Sequence, residues 1–169
     1  TGVMLTPDLA RFSAETGAGI FLLGAGPGVA DAAAESLRVQ FPGTMIVGTW
    51  ADGSPRPEHD GETIRRIRES GADIVLVAYG APAQIHWIQR NSQALERIGV
   101  KVVSGIGGAL DYISGTTPLA PAFVRKVGLE WLYRLVREPW RWRRQLVLPH
   151  FAVLVIVAVI KSRLRGGVE

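Results

Sequence analysis

Val100-Lys101-Val102-Val103-Ser104-Gly105-Ile106-Gly107-Gly108-Ala109-Leu110-Asp111-Tyr112-Ile113-Ser114-Gly115 is the stretch on which the fold turns. The β-branched opening predicts a strand over 100–104, the glycines a loop, and the residues beyond a helix N-terminus. Glycines at such a hand-over let backbone N–H groups approach an anion without Cβ hindrance, and the helix dipole beyond favours phosphate. The reading is nucleotide or nucleotide-sugar binding. A Gly-rich turn also arises where the chain only has to reverse, so the rest of the sequence must decide.

The same grammar repeats along the chain. A short helix is expected over 7–16 with Leu9, Phe12 and Ser13 on one face, then a strand over 20–23 closed by Gly24-Ala25-Gly26-Pro27-Gly28. An Ala-rich helix over 29–40 precedes a strand over 44–47 and the loop Gly48-Thr49-Trp50-Ala51-Asp52-Gly53. A charged helix over 60–70 leads to the most apolar strand, 74–79, and the loop Gly80-Ala81-Pro82; helices over 84–98 and 121–137 complete the pattern. Strands alternating with helices through short connections require parallel pairing, so the fold class is α/β, a Rossmann-like parallel sheet flanked by helices. In such sheets ligands gather at the carboxyl ends of the strands, and the four glycine-bearing loops at 24–28, 48–53, 80–84 and 105–111 fall on that rim.

A length of 169 residues, 47% apolar and 20% charged, suits one globular domain. Without cysteine the chain has no disulfide, thiolate nucleophile or Cys metal site, which fits a cytosolic setting. His59 and His150 lack companions at metal-ligand spacing, so neither a metal nor any other cofactor is expected. No charged and apolar leader of the signal-peptide kind is visible at the N-terminus, while the abrupt Thr1-Gly2-Val3 start raises the expectation of preceding residues.

The net charge of +4 is unevenly spread: residues 1–124 hold nine cations against twelve acids, and residues 125–169 ten against three. The division expected is therefore an α/β domain over 1–137 and a basic, apolar C-terminal appendage over 138–169. In that region Trp131, Trp140 and Trp142 interleave with Arg134, Arg137, Arg141, Arg143 and Arg144, placing interface-seeking rings beside cations suited to phosphate. For Trp131, Leu132 and Leu135 the plainer account is the buried stripe of a helix. The apolar run Phe151-Ala152-Val153-Leu154-Val155-Ile156-Val157-Ala158-Val159-Ile160 falls short of the roughly 20 residues that span a bilayer; it reads as a buried strand or as a shallow membrane-inserting segment.

Gly80-Ala81-Pro82-Ala83-Gln84-Ile85-His86-Trp87-Ile88, then the 105–115 block, Ala120-Pro121, and Gly128-Leu129-Glu130-Trp131-Leu132-Tyr133-Arg134-Leu135-Val136-Arg137-Glu138-Pro139 together resemble, in order and spacing, the signature blocks of the WecG/TagA/CpsF glycosyltransferases. The resemblance covers 5–144. It implies inverting, metal-independent transfer of a hexosamine-type sugar from a UDP donor to a polyprenyl-diphosphate-linked sugar, at the cytoplasmic face of a bacterial membrane, in cell-surface polysaccharide synthesis. It also implies a donor site built from Gly24, Gly26, Gly80, Pro82, Gln84, Gly105, Gly107, Gly108 and Asp111. The acceptor diphosphate or an anionic membrane surface falls to Arg134, Arg137, Arg141, Arg143 and Arg144. Basic residues mixed with aromatics also describe single-strand nucleic-acid binders, but the resemblance makes lipid the partner and nucleic acid not. Self-association stays open.

The departures from the family pattern are chemical. Thr1-Gly2-Val3-Met4-Leu5 stands where the family carries Thr-Gly-x-Asp-Leu, so the aspartate position holds Met4, and a thioether cannot take a proton from an acceptor hydroxyl. Pro82-Ala83-Gln84-Ile85 replaces Pro-Lys-Gln-Glu, and Pro118-Leu119-Ala120-Pro121 replaces Lys-Arg-Ala-Pro. No catalytic residue is therefore assigned. Asp8 is the nearest carboxylate to Met4, His86 is two residues from Gln84 and so on another helix face, and Asp52 reads as a turn residue. Family members carry a further N-terminal region on the acceptor side, so a catalytically degenerate binding or assembly module is the alternative.

Overall fold

The computed structural model describes residues 2–118, 121, 124 and 130–137. The chain divides into two compact units, Thr1–Pro118 and Leu119–Glu169. The first contains four strands, β1 (Ile20–Gly24), β2 (Ile46–Trp50), β3 (Ile74–Ala78) and β4 (Val102–Gly105), and five helices, α1 (Gly2–Thr16), α2 (Val29–Gln40), α3 (Asp60–Ser70), α4 (Ala83–Arg97) and α5 (Ala109–Ile113). All pairings are parallel and the order is β2-β1-β3-β4. This is the expected Rossmann-like α/β arrangement.

Both faces of the sheet are covered, which is why β1 and β3 read as continuous apolar runs rather than alternating ones. On one face Ile20, Leu22, Ile74 and Leu76 pack with Ala10 of α1, Ala30, Ala33, Ala34 and Leu37 of α2, and Leu110 of α5. On the other, Phe21, Leu23, Val75 and Val77 pack with Ile67 of α3 and Trp87 and Leu95 of α4. The alanines of α2 let that helix lie close to the sheet.

Helices α2 and α3 have the expected bounds, and α4 begins and ends one residue early. α1 begins at Gly2, not at Pro7, and runs through that proline. Thr6 is buried there and donates from Oγ1 to the Gly2 carbonyl at 2.9 Å, holding the first turn together. The buried face is Thr6, Ala10 and Ser13; Phe12, read from the sequence as sharing a face with Leu9 and Ser13, is 49% exposed. Ser13 wins its place by hydrogen bonding, since its Oγ donates to the Ala18 carbonyl (2.6 Å) and accepts from the Met45 N–H (2.9 Å).

The second strand corrects the expected span of 44–47. Thr44 spends its hydroxyl on the Ala10 and Phe41 carbonyls and Met45 its N–H on Ser13, so pairing starts only at Ile46 and runs to Trp50. Gly48 is thus a strand residue and not part of a rim loop. A Cβ on it would lie 2.6 Å from the Phe21 ring, so glycine there serves a close approach across the sheet.

In the second unit, α6 (Glu130–Arg137) is the described part of the helix expected over 121–137. Leu132 and Val136 are exposed on it, so the Leu132 stripe is not buried as expected. Arg141, Arg143, Arg144, the remainder of the 138–169 appendage and the 151–160 run lie outside the described residues. Among the described residues no helix is long and apolar enough to cross a membrane.

Candidate functional site

The strand order reverses direction between β1, which is followed by β2 on one side, and β3 on the other. Loops leaving these two strands diverge over opposite faces and open a crevice at their carboxyl ends. Three loops meet there. The Ala25 N–H donates to the Ala78 carbonyl (3.3 Å), and Gly24, at φ +91°, lies so close to Tyr79 that a Cβ would come within 2.8 Å of its ring. The Ile106 N–H donates to the Val77 carbonyl (2.9 Å), and the Gly107 N–H donates to Gln84 Oε1 (3.0 Å), joining the β4 loop to the start of α4. The N-terminus of α1 arrives at the same end: a Cβ on Gly2 would lie 2.5 Å from the Ile106 carbonyl oxygen.

In a parallel α/β unit the helices following the strands start at this rim, so the positive ends of α2, α3 and α4, with that of α1, face the same rim. The loop after β2 is held to it by a clamp on α4, where Arg90 donates to both Asp60 carboxylate oxygens (2.6 and 3.0 Å) and to the Pro55 carbonyl (2.8 Å). Arg66 lies over the Trp50 ring at 4.7 Å, and Glu62 bonds both Arg65 and Arg66; the hydrogen bond from Arg65 is the main influence holding the Glu62 carboxyl below its ordinary value. Tyr79 joins all of these. Its ring meets Trp87 edge-on at 5.9 Å, a Cβ on Gly53 would lie 2.8 Å from its hydroxyl, and that hydroxyl is buried without a hydrogen bond among the described residues. Burial pushes its pKa well up, and the neighbouring Thr63 hydroxyl gives its own proton to the His59 carbonyl.

The sequence profile of the WecG/TagA/CpsF family of glycosyl transferases matches residues 1–165. The chain belongs to the WecG/TagA/CpsF family. An N-acetylglucosaminyldiphosphoundecaprenol N-acetyl-beta-D-mannosaminyltransferase of Bacillus spizizenii is 34% identical over 81% of the chain and 51% of that relative. A protein of the same name from Bacillus subtilis is 33% identical over 81% of the chain and 51% of its own length. The chain thus spans about half the length of these curated relatives.

Of the residues expected in the site of this WecG/TagA/CpsF chain, Gly24, Gly26, Gly80, Pro82, Gln84, Gly105, Gly107 and Gly108 all lie on the rim just described. Gln84 is buried, and its carbonyl oxygen is taken by Gly107 with the side chain against Gly105. That gives it a positioning role within the loop, which the sequence reading as a ligand group did not include. Asp111 sits in the first turn of α5, whose cap position is held by Gly108 with no side-chain bond.

Met4 is on the first turn of α1, 69% exposed, at the rim end of the helix. Asp8 is one turn further on, about 6 Å along the axis, and faces Arg11 at 3.5 Å. His86 is exposed on α4 while Gln84 and Trp87 are buried, so it points away from Gln84. Arg134 and Arg137 lie on α6, in the second unit. Sequence reasoning missed the Arg90–Asp60 clamp, the Tyr79 hub, and Asp31, whose carboxylate accepts a hydrogen bond from Thr49 Oγ1. The signal for Tyr79 was present: an aromatic residue at the end of the most apolar strand, immediately before Gly80.

Proposed function

We propose that this chain carries the nucleotide-sugar site of a glycosyltransferase: a UDP-linked hexosamine binds in the crevice between the β1 and β3 loops and is passed, with inversion and without a metal, to a polyprenyl-diphosphate-linked N-acetylglucosamine. The observation that carries this is the convergence of the 24–28, 79–84 and 105–108 loops, stitched by Gln84 to Gly107 and by Ala25 to Ala78, under converging helix N-termini. Backbone N–H groups in that setting bind a diphosphate without needing a cation. The names of the two Bacillus relatives support the acceptor and the sugar. The arginines at 134, 137, 141, 143 and 144 neutralise the acceptor's diphosphate or an anionic membrane surface, placing the protein peripherally on the inner face of a bacterial membrane.

Met4 favours a second reading, a catalytically degenerate member that binds nucleotide sugar without transferring it. Inverting transfer needs a base on the acceptor hydroxyl, and the exposed thioether at the rim end of α1 cannot supply one. Transfer from UDP-N-acetylmannosamine to a short prenyl-diphosphate N-acetylglucosamine decides between the two. Under the first reading the chain turns over slowly and Met4→Asp raises the rate about 100-fold or more, the usual contribution of a positioned base. UDP binding with no turnover by either form establishes the second.

A further inference from the structure

The segment between β2 and α3 crosses the carboxyl end of β1. β2 and β3 flank β1 on opposite sides, yet Gly53 after β2 lies against Tyr79 after β3. Little within the segment holds it there. Residues 51–56 include no buried side chain, and among the described residues their backbone before Arg56 makes no hydrogen bond with another backbone group. What fixes it is the Arg90 side chain on α4, which donates to the Pro55 carbonyl (2.8 Å) and to both Asp60 oxygens just beyond (2.6 and 3.0 Å). The Arg90 and Asp60 side chains are 34% and 17% exposed, so this latch is partly open to water. A segment with no buried apolar contact and few backbone bonds belongs to the low-stability end of a fold.

Beneath it is a hydroxyl with nothing to bond. A Cβ on Gly53 would lie 2.8 Å from the Tyr79 oxygen and 3.0 Å from the Trp50 ring, so the segment closes flat on these rings only because it has no side chain there. The Tyr79 hydroxyl is buried without a hydrogen bond among the described residues. A buried donor left unpaired is costly, and its presence in a native fold calls for a reason. Tyr79 stands between Ala78, the last residue of β3, and the crevice residues Gly80 and Pro82, and its ring abuts Gly24 at the end of β1. The group is placed where a ligand arrives and is covered by the segment above it.

We infer that residues 51–56 form a strap closed over a ligand-binding group: the Arg90 side chain latches the strap, and the Tyr79 hydroxyl beneath it donates to an acceptor oxygen of the bound nucleotide once the strap lifts. The inference rests on the donor-site reading above and adds to it a gate and a hydrogen-bond donor. The competent molecules are then only the fraction whose strap is open. Apparent affinity is reduced by that fraction, so any change that unlatches the strap raises it.

Titration with UDP, followed by amide shifts and by the nuclear Overhauser contact between Gly53 and the Tyr79 ring, tests it. That contact is expected in the free chain and is expected to vanish at saturation. Arg90→Ala should tighten UDP binding about threefold or more, and Gly53→Ala, whose added Cβ meets the Tyr79 oxygen, should do the same from beneath the strap. Asp60→Asn, a milder unlatching, serves if Arg90→Ala does not fold. Tyr79→Phe should weaken binding about tenfold without lowering the unfolding midpoint, a split that a packing role alone does not produce. UDP bound with the Gly53–Tyr79 contact intact, or unlatched variants that bind no tighter, overturns the strap and leaves the donor site standing. Unchanged affinity in Tyr79→Phe overturns the ligand role of its hydroxyl. Failure of every form to bind UDP removes the donor site, and the inference with it.

Discussion

Gly24 is the residue on which the crevice depends most directly. It combines φ +91° with a Cβ direction that runs into the Tyr79 ring at 2.8 Å, so Gly24→Ala is expected to lower stability by about 1–3 kcal/mol in a urea titration. Gln84→Leu leaves the Gly107 N–H without an acceptor and should cost about 1 kcal/mol in the same measurement, loosening the 105–108 loop. Tyr79→Phe works the other way. The phenol oxygen is buried without a partner, so its removal should leave stability unchanged or raise it by up to about 1 kcal/mol, and a clear loss would mean that the hydroxyl has a partner after all. At this scale the sequence announces its glycines, because their chemistry is local. It conceals Gln84's second role, because the partner is 23 residues away and is a backbone N–H.

Among the elements, helices α2, α3 and α4 were legible because each carries a long periodic pattern between clear stops. β2 was misplaced by two residues at its start because Thr44 and Met45 look like strand residues and are claimed by α1 instead. The same interaction hides the true face of α1, where a serine is inside and a phenylalanine outside. The N-terminal turn of α1 gives Met4→Asp a structural consequence apart from any catalytic one: a carboxylate near the positive end of a helix should add about 0.3–1 kcal/mol to stability, a thermal shift that high salt should diminish.

At the base of the sheet, Asp73 pairs with Lys101 at 2.8 Å and accepts the Gly19 N–H at 2.9 Å. Lys101 first, and then that N–H, holds its carboxyl below the ordinary value of 3.8. A carboxylate with a lower pKa folded than unfolded contributes stability above the unfolded value and loses it as pH falls through the folded one. The stability of this chain should therefore fall on acidification below about pH 4, and Lys101→Ala should flatten that fall in urea midpoints measured across the range.

For the whole molecule, the fold class and the rim were readable from alternation and from the glycines at the carboxyl ends of β1, β3 and β4. The charge division was equally readable, but it describes composition; whether the arginines meet a lipid diphosphate is a matter of placement. The central claim is that three loops distant in sequence make one diphosphate site. Amide chemical shifts during a titration with UDP test it most directly. The account predicts saturable shifts concentrated at Gly24, Gly26, Gly28, Gly80, Gly107 and Gly108, with Gly17, Gly71 and Lys101 at the far end of the sheet unmoved; shifts absent at millimolar UDP, or gathered at that far end, would contradict it.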